Sequence, residues 1–205
     1  MGVCRAILSP DTDYAKDIIR SVYFDTADYR CAQRSLDGEL NRMKFRYRGY
    51  GNERNGYLEI KYRFSRLTGK IRESYSVDNI GDLEMRAETF SSLLKDVPIQ
   101  SDLSVFEISP SYYITYCRER FFYPNCSLRV SLDVDVRASK LPRDWWSGID
   151  IGNLQALPMS VLEIKFDASD RLASEIGSTL VSLTGKKNQS FSKYALSHLL
   201  YQGDL

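Results

Sequence analysis

The sequence predicts an α+β fold in which a mainly antiparallel sheet of about seven or eight strands carries a few helices. Four segments alternate charged and apolar residues strictly: Lys44–Arg48, Leu58–Phe64, Arg129–Arg137 and Leu162–Phe166. Period two marks a strand with two unlike faces. The runs Ile18–Asp25 and Ser111–Tyr123 are rich in β-branched and aromatic residues, the composition of strands. Apolar residues in 82–94, 169–183 and 191–201 instead recur at helical spacing.

In chain order, Met1–Asp17 is weakly patterned, with Ser9-Pro10-Asp11 as a turn signal. Ile18–Asp25 is the first strand, and the polar stretch Asp28–Leu40 is a short helix or a loop. Met43–Tyr50 and Tyr57–Phe64 flank Gly49-Tyr50-Gly51-Asn52 and read as an antiparallel hairpin. Ile71–Val77 is partly alternating and forms another strand. Asp82–Leu94 carries Leu83, Met85, Phe90, Leu93 and Leu94 after a capping aspartate. Pro98–Pro110 connects to the long aromatic strand Ser111–Tyr123. Leu128–Ala138 follows the turn at Pro124-Asn125, and Lys140–Pro158 is a long aperiodic excursion. Ser160–Asp167 is the last strand. Two amphipathic helices close the chain, Ser169–Leu183, stopped by Gly185, and Phe191–Tyr201.

At 205 residues, with 43% hydrophobic and 27% charged residues, the composition is that of one ordinary globular domain. A net charge of +1 gives no bulk attraction to nucleic acid or anionic lipid, so an anion site must come from local clustering. Cys4, Cys31, Cys117 and Cys126 show no C-x-x-C spacing, and free thiols are expected. No apolar run reaches the roughly 20 residues of a membrane span, and Met1–Leu8 lacks signal-peptide features, so a cytoplasmic location is expected. The single histidine, His198, reads as a surface or helix-packing residue, which disfavours a Ser-His-Asp triad. Trp145 and Trp146 read as loop packing, and Tyr112, Tyr113 and Tyr116 as wall packing. Cys117, adjacent to Arg118, is expected on the opposite, apolar face.

The charged faces admit two arrangements. In an open sheet they face water. In a closed antiparallel β-barrel they line a polar, charged lumen, with helices such as 82–94 and 169–183 packed outside. Residues at i and i+2 share a face. Lys44, Arg46 and Arg48 therefore lie together, as do Glu59, Lys61 and Arg63, then Arg118 and Arg120, then Arg129, Asp133, Asp135 and Arg137, then Glu163 and Lys165. Guanidinium groups suit bidentate phosphate contacts, and carboxylates beside them suit Mg²⁺ or Mn²⁺ bound with phosphate oxygens. Phosphoryl transfer requires mainly positioning and charge neutralisation. The competing reading is a set of structural ion pairs.

Seven motifs occur in order: Tyr23-Phe24-Asp25-Thr26, Lys44-x-Arg46-x-Arg48-Gly49-Tyr50-Gly51, Leu58-Glu59-Ile60-Lys61, Tyr116-x-Arg118-x-x-Phe121, Arg129-Val130-Ser131-x-Asp133, Leu162-Glu163-Ile164-Lys165 and Ser192-Lys193-Tyr194. This series resembles the VTC domain, the polyphosphate polymerase branch of the triphosphate tunnel metalloenzyme (CYTH-like) superfamily. The resemblance implies a barrel tunnel of about eight strands. It also implies transfer of the γ-phosphoryl group of ATP to a growing polyphosphate chain, with Mn²⁺ or Mg²⁺. By the same resemblance Arg46, Arg48, Lys61, Arg118, Arg129 and Lys193 are catalytic and phosphate-binding residues. Lys165 and, more weakly, Lys70 join the phosphate set, and Glu163, with Glu59 as a weaker candidate, binds metal. The implied ligands are ATP and polyphosphate, with no nucleic acid. A non-catalytic polyphosphate-binding or nucleotide-binding module and a triphosphate hydrolase are the alternatives. The family pattern opens with a Glu-x-Lys strand and a helix, whereas Met1–Leu8 has neither an acidic residue nor lysine. The single domain 1–205 is therefore expected to lack that strand and helix, and the open edge invites a homodimer.

Overall fold

The computed structural model describes residues 6–51, 55–76, 90–98, 108–141, 153–184 and 191–203. Its strands are β1 (Ser9–Pro10), β2 (Lys16–Asp25), β3 (Asn41–Tyr50), β4 (Asn55–Phe64), β5 (Leu67–Ser76), β6 (Ser109–Phe122), β7 (Arg129–Lys140), β8 (Gln155–Ala156) and β9 (Val161–Lys165). Its helices include α1 (Arg30–Leu36), α2 (Ser91–Leu94), α3 (Arg171–Thr184) and α4 (Lys193–Gln202). Hydrogen bonding orders the strands β5-β4-β3-β2-β6-β7-β8, with β1 paired to β6 and β9 paired to β7. The pairings β1–β6, β2–β3, β3–β4, β4–β5, β7–β8 and β7–β9 are antiparallel. The fold is α+β on an antiparallel sheet, as expected.

Nine strands appear among the described residues, against the seven or eight expected. The additional ones, Ser9–Pro10 and Gln155–Ala156, are two residues long, too short to show any period. Ser9-Pro10, expected as a turn, pairs with Phe122 and Phe121. The turn comes directly after it, where Asp11 Oδ1 accepts the amides of Asp13 and Tyr14, a local Asx geometry. Residues 82–89, 99–107 and 142–152, which include most of one expected helix and both tryptophans, lie outside the described residues. No described helix is long and apolar enough to cross a membrane.

The chain divides into two compact units, unit 1 (Met1–Ile18, Tyr116–Val136, Pro158–Phe191) and unit 2 (Ile19–Thr115, Arg137–Leu157, Ser192–Leu205). In unit 2 the alternation works as the pattern requires. Met43, Phe45, Tyr47, Leu58 and Ile60 are buried on one side of the β3–β4 hairpin, and Phe90, beside α2, meets Phe24 and Phe45 edge-on. A second group joins buried Tyr112, Tyr194 and His198 with half-buried Tyr29 and Tyr201. His198 is a helix-packing residue, its Nδ1 at 3.2 Å from the Tyr112 hydroxyl.

Unit 1 is held by Leu8, Phe121, Leu128, Val130, Leu132, Ala173 and Leu180. Asp170 starts α3, accepting the amide of Ala173 on one oxygen and that of Ser127 on the other, the role of an N-cap carboxylate. Gly177 lets α3 approach β9, because a Cβ there would meet the Phe166 ring at 2.9 Å. In β7 Asp135 has φ of +50°. The apolar parity nevertheless runs through it, with Val130, Leu132, Val136 and Ala138 buried, while on the charged side Asp133 is buried and Asp135 and Arg137 are exposed.

Candidate functional site

In unit 2 the register aligns the charged faces of β3, β4 and β5 in cross-strand rows. One row is Lys44–Lys61–Lys70, and the next is Arg46–Glu59–Arg72, extended by Tyr23 of β2. Lys44, Arg46 and Arg48 are half-buried, and the Glu59 side chain is only 1% exposed. Arg46 Nε donates to Glu59 Oε2 at 2.6 Å, Lys70 Nζ lies 3.3 Å from Oε1, and Arg48 Nε lies 3.9 Å from Oε2. Burial alone would raise the Glu59 pKa, but Arg46, Arg48 and Lys70 outweigh it and hold the carboxylate below its ordinary range. Arg46 Nη1 donates to the Tyr23 hydroxyl at 3.0 Å. Burial opposes ionisation of that phenol, yet Arg46, Arg48 and Lys44 together lower it to about 8. Lys44 is also lowered to about 8, chiefly by desolvation and then by Lys61, Arg42 and Arg46, against the opposing pull of Tyr23.

Helix α4 brings its N-terminus to the same rows. Ser192 caps it, accepting the Ala195 amide and a 2.9 Å hydrogen bond from Lys44 Nζ. Lys193 is the first helical residue. Tyr194 stacks on Tyr23 with ring centroids 4.6 Å apart and planes 4° from parallel, and its hydroxyl donates to Asp25. Asp25 also accepts the amides of Thr26, Cys31 and Ala32, so this buried carboxylate fixes the start of α1.

Unit 1 carries a second charged group. Arg118 grips Asp133 through two parallel bonds, Nε to Oδ1 at 2.6 Å and Nη2 to Oδ2 at 2.8 Å, with its guanidinium 5.5 Å from the Tyr116 ring centre. Desolvation works against the Arg118 charge, but the Asp133 bond outweighs it and raises the pKa. Glu163 faces Ser131 across β7–β9. One of its oxygens is 3.0 Å from Lys165 Nζ and the other 3.8 Å from Arg118 Nη2. Arg129 stands opposite Lys165, and both are exposed.

The model of the VTC domain matches residues 6–201. The chain belongs to the VTC domain family. All seven motifs fall within the matched span. No curated protein matches the chain. Among solved structures it is similar to a candidate adenylate cyclase of Bacillus halodurans, with 13% identity over 88% of this chain and 81% of that one and a TM-score of 0.48. It is similar also to HpAC1 of Hippeastrum, a candidate adenylyl cyclase reported to have a dominant triphosphatase activity (12% identity, 99% and 89% covered, TM-score 0.48). A third is the PH1819 protein of Pyrococcus horikoshii (14% identity, 97% and 90% covered, TM-score 0.47).

Of the residues expected from the VTC motifs, Arg46, Arg48, Glu59, Lys61 and Lys70 lie together on the β3–β5 face, and Lys193 begins α4. Arg118, Arg129, Glu163 and Lys165 lie together in unit 1. Among the described residues no three acidic, His or Cys side chains gather as a metal-holding group. Sequence reasoning placed Lys44 and Asp133 on charged faces without naming them as site residues, and assigned no individual role to Tyr23 or Ser192. Lys44 was open to detection, since it shares a face with Arg46 by the period-two rule. Tyr23 was not, because its place opposite Arg46 is a matter of register between strands. Cys117 is half-exposed and not in a core, since the β6 residues buried beyond Tyr116 reduce to Phe121.

Proposed function

We propose that the chain is an ATP-dependent polyphosphate polymerase that transfers the γ-phosphoryl group of ATP to a growing polyphosphate chain. The observation that carries this reading is the row Lys44–Lys61–Lys70 beside Arg46 and Arg48. Like charges directly opposite one another in a sheet are destabilising, and a polyanion relieves that cost. Arg46 and Arg48 would bind phosphate oxygens through their planar forks, and the lysines would act as compact positive points. Family resemblance adds Arg118, Arg129, Lys165 and Lys193 to the phosphate set.

For the metal, the donors present are hard carboxylate oxygens. Glu163 is 42% exposed on its side chain, whereas both oxygens of Asp133 are taken by Arg118. This fits Mg²⁺ or Mn²⁺, which take one or two protein carboxylates and complete their shells with water and phosphate oxygens. Glu163 would hold the ion, and Glu59 is the weaker candidate. An ion of this kind would supply charge neutralisation to a bound phosphate. Lys165 and Arg118 orient the Glu163 carboxylate from either side.

The test is incubation with ATP and Mn²⁺, with products resolved on a gel. Long polyphosphate is expected, abolished by Glu163→Ala and by Arg46→Ala. Inorganic phosphate released from tripolyphosphate would replace the reading with a triphosphate hydrolase. Binding of polyphosphate without any turnover would replace it with a binding module.

A further inference from the structure

Arg46 is held on two sides. Its Nε and Nη2 both pair with Glu59 Oε2 and its Nη1 donates to the Tyr23 hydroxyl, and Tyr23 sits directly opposite it across β2–β3. Tyr23 cannot swing away, because it is 6% exposed, its ring lies flat on Tyr194, and its main-chain oxygen accepts from Ser111. Tyr194 is anchored in turn by its hydrogen bond to Asp25. A guanidinium presents its donors in one rigid plane, so two fixed partners set the orientation of the whole group. We infer that Tyr23 is a positioning residue: its hydroxyl, immobilised by the stack on Tyr194, aims the Arg46 guanidinium at the ligand's phosphate. The inference rests on the reading that Arg46 grips phosphate.

The arrangement also ties the grip to protons. A neutral phenol accepts from Arg46 without adding to the negative charge that Glu59 already places beside it, whereas a phenolate is a second anion competing with phosphate for the guanidinium. The charged or titratable groups around Tyr23 are Arg46, Arg48 and Lys44 from β3, Tyr194 from α4 and Asp25 from its own strand. The surrounding cations bring the Tyr23 phenol down to about 8, and burial brings the Lys44 ammonium down to about 8. Each proton lost lowers the net charge of the face by one. Arginine stays protonated throughout.

The experiment is calorimetric binding of tripolyphosphate, with chelator present, from roughly pH 7 to 9.5, a range spanning the ordinary α-amino and approaching the phenol values. The proteins are the wild type, Tyr23→Phe, Lys44→Met, the double variant and Arg46→Ala. By proton linkage the wild-type log affinity should fall with a limiting slope of about two protons. Tyr23→Phe and Lys44→Met should each reduce the slope to about one, and the double variant should flatten it. At neutral pH Tyr23→Phe, which keeps the ring stack, should weaken binding about fivefold, the size expected for one lost hydrogen bond to a charged group acting indirectly. A structural role alone would not move the slope. A wild-type chain that does not bind at low salt overturns the reading of the site and this inference with it. Binding that is lost in Arg46→Ala but keeps its affinity and slope in Tyr23→Phe overturns this inference alone.

Discussion

The charged strand faces of the two units are built from the same residue types but balanced differently. In unit 1 two carboxylates stand against three cations, closer to balance: Asp133 takes two bonds from Arg118, and Glu163 has Lys165 beside it, with Arg129 opposite Lys165. In unit 2 Arg46, Arg48 and Lys70 share the single carboxylate of Glu59, and a row of three lysines runs alongside. A matched pair satisfies itself and mainly holds strands together. An excess of one sign is costly to maintain and is relieved by a ligand of the other sign or by screening salt. Alternating charged strands are therefore two different devices, separated by stoichiometry and not by pattern.

The sharpest way to break this comparison is Arg118→Met. Asp133 is 1% exposed, and stripping the partner from a buried ion pair costs about 3–5 kcal/mol. Urea denaturation should show that loss, and the double variant Arg118→Met/Asp133→Leu should recover most of it. A single variant as stable as the wild type would mean that the unit 1 pair is not structural.

Second in size is Glu59→Gln, for which the two readouts should move in opposite directions. Removing the shared carboxylate should cost about 2 kcal/mol, as for a lost hydrogen bond to a charged group, while tripolyphosphate should bind several-fold more tightly because its competitor for Arg46 has gone. The sign with pH follows from the depressed Glu59 pKa. Its stabilising contribution is present above the unfolded carboxylate value and is lost as pH falls through the lower, folded value. The gap between wild type and variant should therefore close on acidification. Weaker binding in the variant would instead make Glu59 an organiser of the cations and not their competitor.

β3, β4 and β7 were legible from period two, because each has a buried apolar face that a one-residue slip would expose. So was the co-facing of Lys44, Arg46 and Arg48. Pairing across strands was not. Nothing in the chain's local order says that Lys61 faces Lys44, that Tyr23 faces Arg46, or that Arg118 spends its fork on Asp133. These depend on register, which turn geometry and distant packing decide. Asp135 shows the other limit, since its left-handed backbone inside an apparently regular strand has no glycine to signal it.

The smallest effect tests the excess of charge most directly. Lys61 is exposed and stands between Lys44 and Lys70. If the row is kept for a ligand at the fold's expense, Lys61→Gln should stabilise the protein by about 0.5 kcal/mol at low salt, the usual scale of a cross-strand charge pair. The gain should disappear at high salt, where exposed charges are screened. Tripolyphosphate binding should weaken at the same time. Lys165→Gln in unit 1 is the matched control. Lys165 also faces a cation, Arg129, but lies 3.0 Å from Glu163, so removing it trades a repulsion for a lost ion pair and should leave stability unchanged or slightly lower. Thermal melts of both variants at two salt concentrations decide the matter. Equal, salt-independent responses would place the two units in one class and remove the distinction, whereas a salt-sensitive gain confined to Lys61→Gln would locate the stored repulsion on the β3–β5 face, where the anion is proposed to bind.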